Sequence, residues 1–171
     1  MFNKIKAFLR LRPVKLALEL AFILLVFMVL KSYMQRGLID GLSPDIQAQL
    51  LSGENVSLRP SNGKPLLLYF WATWCPVCRL SQNGVDAISK NHNVITIAVN
   101  SGTVSDITTF LSENKLHFRV INDENETIAR QFGVTGVPTS FVIDSRGNIL
   151  FTDVGFTTSW GQRFRLWFAN D

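Results

Sequence analysis

Cys75 and Cys78 are the only cysteines in a chain of 171 residues, and two positions separate them in "WATWCPVC", Trp71 to Cys78. Disulfide exchange needs one accessible, partly ionised sulfur and a second close behind it to expel the substrate. The flanking sequence supplies both. "LLLYFWA", Leu66 to Ala72, is an unbroken apolar run of strand length, and "RLSQNGVDAISKN" after the cysteines reads as a helix weakened at Gly84. A strand that hands Cys75 to the first turn of a helix sets its sulfur among unpaired backbone N–H groups at the positive end of the dipole. Both stabilise a thiolate. Pro76 suits the first helical position, where its missing N–H costs nothing. Cys78, one turn in, lies beneath Cys75 and is shielded.

Three other uses of the pair compete with exchange. An inert disulfide across so short a loop removes little chain entropy. A zinc site wants four ligands, and His92 and His117 are isolated and lack ligand spacing. Soft thiolates select Cu(I), so a copper-binding module stays open, although no methionine lies near the pair to add a soft ligand. A second stretch, "GVTGVPTSFVID", puts Pro138 at the start of a strand, where a cis bond and an ordinary trans proline both fit.

The elements that must position these residues alternate. "IQAQLLSGENVSL" reads as a β-hairpin. "VITIAVN", Val94 to Asn100, is a second buried strand, "TVSDITTFLSEN" a helix, "HFRVIND" a strand and "ENETIARQFG" a short helix closed by Gly133. "TSFVID" and "ILFTDVGF" flank the turn "SRGN". "SWGQRFRLWFAN" is an amphipathic helix with Trp160, Phe164, Trp167 and Phe168 on one face. The pattern gives an α/β domain with a mixed sheet in three layers.

The formal charge of +4 is unevenly placed. Residues 1–36 hold seven Lys or Arg and one acid, Glu19, whereas 37–171 hold ten basic and twelve acidic side chains. The globular part therefore has no basic excess for nucleic acid. "LALELAFILLVFMVL", Leu16 to Leu30, follows five basic residues and extends through Val14 and "SYM" towards a membrane span. "KSYMQRG" after it lacks a small-residue cleavage site, so the span reads as an uncleaved anchor. The basic flank puts the N-terminus in the cytoplasm and the domain in the periplasm, where disulfides persist. The expected divisions are a cytoplasmic segment over 1–13, a transmembrane anchor over 14–34, a linker over 35–44 and a folded domain over 45–171.

"LLLYFWATWCPVC" followed by "GVTGVPTSFVID" resembles the thioredoxin fold, and over residues 38–171 the chain resembles the bacterial membrane-anchored thioredoxin-like proteins of the TlpA/ResA group. Its anchor, cysteine motif and length are most similar to the suppressor of copper sensitivity branch, which associates it with copper tolerance. The resemblance implies a thioredoxin-like three-layer fold with a central mixed sheet, preceded by one N-terminal transmembrane helix. It implies a monomeric thiol–disulfide oxidoreductase tethered to the bacterial inner membrane, with protein disulfides of the periplasm as substrates. A DsbD/ScsB-type membrane electron donor would recharge it, and no cofactor beyond the Cys75–Cys78 disulfide and no metal is implied.

Position by position, the resemblance makes Cys75 the attacking thiolate, Cys78 the resolving thiol and Pro138 a cis-proline facing them. Val137 would offer backbone hydrogen bonds to an extended substrate. Trp74, Pro76, Val77, Gly155 and Phe156 would line the same groove. Two departures stand out. Thioredoxins carry a buried Asp where this chain has Tyr69, and many TlpA-like proteins carry a Glu where it has Ser81; neither is a base at neutral pH. A cytochrome c maturation thiol reductase is the rival in the same class, but that subfamily carries Glu after the cis-proline and this chain has Thr139.

Overall fold

The computed structural model describes the backbone of residues 2–60 and 63–170; within the first helix it describes side chains at 15–30 and 32. The chain forms two compact units, Met1–Arg36 and Gly37–Asp171.

The first unit is a single helix, α1, Phe2–Met34. Every side chain from Lys15 to Leu30 is exposed, and Leu, Phe, Val and Met residues occupy all sides of this stretch. Lys15 and Glu19 pair across one turn at 4.0 Å, as their spacing predicts. Among the described residues no helix is long and apolar enough to cross a membrane. The expected 1–13 segment, and residues 14, 31, 33 and 34 of the expected span, lie outside the described side chains.

The second unit is built around β4, Leu66–Trp71, the apolar run before the cysteines, which is buried at all six positions. Successive strand residues point to opposite faces, so one run serves two cores. Leu67, Tyr69 and Trp71 face a cluster with residues of α2, Pro76–Ser89, α3, Val104–Glu113, and α5, Ser159–Phe168. Leu66, Leu68 and Phe70 face a second cluster with α4, Thr127–Gln131, and a hairpin of β2, Gln47–Gln49, with β3, Asn55–Ser57. Phe70, Phe132 and Phe141 stack in that cluster with ring centroids 5.2–5.7 Å apart.

The main sheet has the order β1-β8-β7-β4-β5-β6. β4 pairs in parallel with β5, Asn93–Val99, and β5 in parallel with β6, Val120–Asp123. On its other side β4 pairs antiparallel with β7, Thr139–Ile143, which pairs antiparallel with β8, Asn148–Val154. The sheet is thus mixed with layers on both faces, as expected.

One expectation changes. The segment 35–44 is not simply a linker: Gly41–Leu42 forms β1 and pairs with Ile149 and Asn148 of β8. Ile39 also donates its N–H to Phe132 O at 3.2 Å. A two-residue edge strand has no periodicity to read, so the sequence left it as linker. The aromatic face of α5 turns outward. Trp160, Phe164, Trp167 and Phe168 are 54–83% exposed, whereas Gln162, Leu166 and Ala169 are buried. Polar ties on either side fix that rotation. Arg163 Nη2 donates to Ala87 O at 3.0 Å, and Arg165 pairs with Asp153.

Candidate active site

β4 ends at Trp71 and α2 starts at Pro76, so a four-residue loop delivers the cysteines to the carboxyl end of the central strand. Here β4 has a parallel neighbour on one side and an antiparallel one on the other. Cys75 is the N-cap of α2, with φ −87° and ψ 109°, and its Sγ accepts the backbone N–H of Cys78 at 3.1 Å. A sulfur thus occupies the capping place usually held by a Ser, Thr or Asp oxygen. Pro76 fills the first helical position, as anticipated.

Cys75 and Cys78 form a disulfide, with their Cα atoms 5.3 Å apart. In this oxidised pair the expected contrast between an exposed and a shielded sulfur is small: Cys75 is 3% and Cys78 0% exposed. Cys75 Sγ is joined to Cys78 on one side and faces Val137 O at 3.6 Å on the other, which leaves little of it to solvent.

The Val137–Pro138 peptide is cis. Pro138 O accepts the N–H of Gly155 at 2.8 Å, which ties the loop after β8 to the same place. Phe156, next along that loop, is 55% exposed; across the cysteines Trp74 is 61% and Val77 40% exposed, and Pro76 is also exposed. The structure therefore brings Trp74, Cys75, Pro76, Val77 and Cys78 together on one side, with Val137, Pro138 and Gly155 opposite them.

The polar surroundings of Cys78 are neutral. Tyr69 and Ser81 hydroxyls lie 2.7 Å apart in the core, and Ser81 Oγ donates to Cys78 O at 3.1 Å. Burial pushes the Tyr69 phenol up to about 12, only partly offset by the hydrogen bond with Ser81. The phenol stays protonated at neutral pH and cannot take a proton from Cys78.

Sequence reasoning missed the residues that hold the cysteine loop. Ser101 Oγ accepts the N–H of Thr73 at 3.1 Å, and Asn100 O accepts Trp74 Nε1–H at 2.9 Å. Both come from the turn after β5, and no local motif links positions that far apart. The two histidines stand elsewhere. His117 is paired with Asp86, and His92 lines a cavity of about 600 Å³ with Lys64, Lys90 and Trp167, whose lining includes neither cysteine. Among the described residues, no group of three or more His, Cys, Asp or Glu could hold a metal.

What the arrangement can do is two-electron exchange between a dithiol and a disulfide, with one sulfur at a helix cap and the other inside the first turn. In fold and in site the domain is thioredoxin-like. The chain belongs to the AhpC/TSA family, whose description matches residues 39–152. It is 33% identical over 150 residues to a thioredoxin-like protein of Haemophilus influenzae, a match covering 85% of this chain and 89% of that protein. It is 29% identical over 127 residues to sporulation thiol-disulfide oxidoreductase A of Bacillus subtilis, covering 68% of this chain and 73% of that one. Among solved structures, a thiol:disulfide interchange protein of the thioredoxin family from Chlorobium tepidum superposes with a TM-score of 0.67 at 26% identity. That match covers 78% of this chain and 98% of the other.

Proposed function

We propose that this chain is a membrane-tethered thiol–disulfide oxidoreductase whose folded domain faces the periplasm and reduces disulfides of partner proteins. The observation that carries the reading is Cys75 Sγ at the cap of α2, holding the Cys78 N–H and facing the carbonyl before a cis-proline. In the reduced protein the Cys75 thiolate attacks one sulfur of a substrate disulfide. A mixed disulfide forms, and the other substrate sulfur leaves as a thiolate, which takes a proton. Cys78 then loses its proton to solvent or to the departing thiolate and attacks Cys75 Sγ. The Cys75–Cys78 disulfide forms and the second substrate thiol is released. The substrate gains two electrons and two protons; the cysteine pair loses the two electrons and the one proton of Cys78, and solvent supplies the other proton.

An oxidised pair in an oxidising compartment must be recharged by a dithiol donor. A membrane protein of the DsbD/ScsB type is the donor that the resemblance implies. Tethering suits that need, because confinement raises the effective concentration of the two partners. The anchor is supported by the apolar, exposed stretch from Leu16 to Leu30 and by the basic residues before it. The anchor, the cysteine motif and the length resemble the suppressor of copper sensitivity protein ScsD, and that resemblance extends the proposal to a role in copper tolerance.

The test is turnover in the full-length chain. The reduced protein should cleave insulin disulfides with dithiothreitol as electron source, and Cys75→Ser should abolish this. An inactive wild-type dithiol that instead binds Cu(I) through both sulfurs would replace exchange with a copper-binding function. A mature chain that begins near residue 35 and washes off membranes would remove the tether.

A further inference from the structure

Trp74 precedes the attacking cysteine, and although 61% exposed its indole is held: Nε1–H donates to Asn100 O at 2.9 Å. The residue that supplies this carbonyl has an uncommon backbone. Asn100 has φ +44°, and Glu126, just ahead of α4, has φ +57°. Left-handed conformations are tolerable for Asn but costly for Glu, and they persist where surroundings enforce them.

The two residues are joined in two ways, through a shared acceptor and directly. Asp123 O accepts the N–H of Asn100 and the N–H of Glu126, each at 3.1 Å. Asn100 Nδ2 donates to Glu126 Oε1 at 3.2 Å. Asp123 is itself fixed, because its carboxylate accepts the N–H groups of Ile128 and Ala129 at 3.0 and 2.8 Å. Glu126 is the N-cap of α4 by position, yet its side chain makes no capping bond to that helix. Asp123 does the capping, and the Glu126 carboxylate turns to Asn100 instead.

We propose that Asn100 and Glu126 are positioning residues that hold Trp74 as a rigid wall beside Cys75 and so set the affinity for polypeptide disulfides. This rests on the exchange reading above. An aromatic surface already fixed before binding loses less freedom when a substrate segment packs on it. Attack by Cys75 on a small disulfide, which is too short to reach across the indole, does not depend on the wall.

The experiment compares Glu126→Ala with Glu126→Gln in the full-length chain, using insulin and hydroxyethyl disulfide as substrates. Glu126→Ala should raise KM for insulin about three- to tenfold, the range one hydrogen bond spans, with kcat little changed. Glu126→Gln keeps an oxygen that accepts from Asn100 and should stay within about twofold of wild type. Neither should change the rate on hydroxyethyl disulfide. The Trp74 indole N–H signal, identified in nitrogen-15 spectra by its loss in Trp74→Phe, should exchange faster with solvent in Glu126→Ala alone. An insulin KM and a Trp74 signal that Glu126→Ala leaves unmoved would overturn the proposal. So would equal damage by Ala and Gln, or equal loss on both substrates. Wild-type protein inert toward both disulfides would overturn the exchange reading and this proposal together.

Discussion

Cys78 donates its backbone N–H to Cys75 Sγ across 3.1 Å, a bond that runs from inside the first turn of α2 to the atom capping it. The geometry makes the two sulfurs unequal in charge preference even though both are nearly buried when joined. A thiolate at Cys75 keeps that N–H and sits at the positive end of the helix; one at Cys78 has neither. In the reduced protein, limiting iodoacetamide at about pH 6.5 should therefore alkylate Cys75 first, read by peptide mass spectrometry. Preferential alkylation of Cys78 would reverse the two roles.

The same inequality predicts which variant captures partners. Cys78→Ser keeps the attacking sulfur but cannot resolve the mixed disulfide, so partners should accumulate as adducts that dithiothreitol collapses. Cys75→Ser leaves only Cys78, which is 0% exposed, and should capture nothing. Non-reducing gels of cells carrying each variant read the result. Equal capture by both would mean that Cys78 is reachable without Cys75.

How far the site could be read in advance depends on distance along the chain. The strand–cysteine–helix unit is local: six apolar residues, a cap and a proline lie within a dozen positions, and the structure places them as the sequence suggests. The approach of Val137 and Pro138 needs 62 positions of chain to close, and only a family resemblance supplied it. The Asn100 and Ser101 contacts to the cysteine loop had no signal at all, because a backbone carbonyl and a serine hydroxyl look the same in any turn. β1 was lost for a different reason: two residues of edge strand carry no alternation.

Tyr69 gives a pH-dependent prediction whose sign follows from its neighbours. Burial favours the neutral phenol, so the folded protein holds this proton up to about 12, whereas an exposed tyrosine loses it at 10.0. Above pH 10 the native state binds more protons than the unfolded state, so stability falls as pH rises towards 12. The gap between the two values caps that loss at ~3 kcal/mol. Tyr69→Phe should flatten this part of the stability–pH curve, measured by urea unfolding between about pH 9 and pH 11. An unchanged slope in the variant would show that another group causes it.

The outward aromatic face of α5 predicts an inversion of the usual cost of losing a large side chain. Leu166 is 1% exposed and belongs to the cluster under Tyr69 and Trp71. Gly84 of α2 lets α5 come close: a Cβ there would lie 3.1 Å from Ser159 Cβ, so the two helices approach where side chains are smallest. With Arg163 tied to Ala87 O and Arg165 to Asp153, the helix cannot roll to bury its aromatics without breaking both. Leu166→Ala should therefore cost about 2–5 kcal/mol through the cavity it leaves. Phe164→Ser, at a position 63% exposed whose ring touches Trp167, should change stability by no more than ~0.5 kcal/mol despite removing a larger group. Urea midpoints of the two variants, at unchanged slope, decide the matter. If Phe164→Ser proves as costly as Leu166→Ala, the aromatic face is buried in solution and the rotation of α5 described here is wrong.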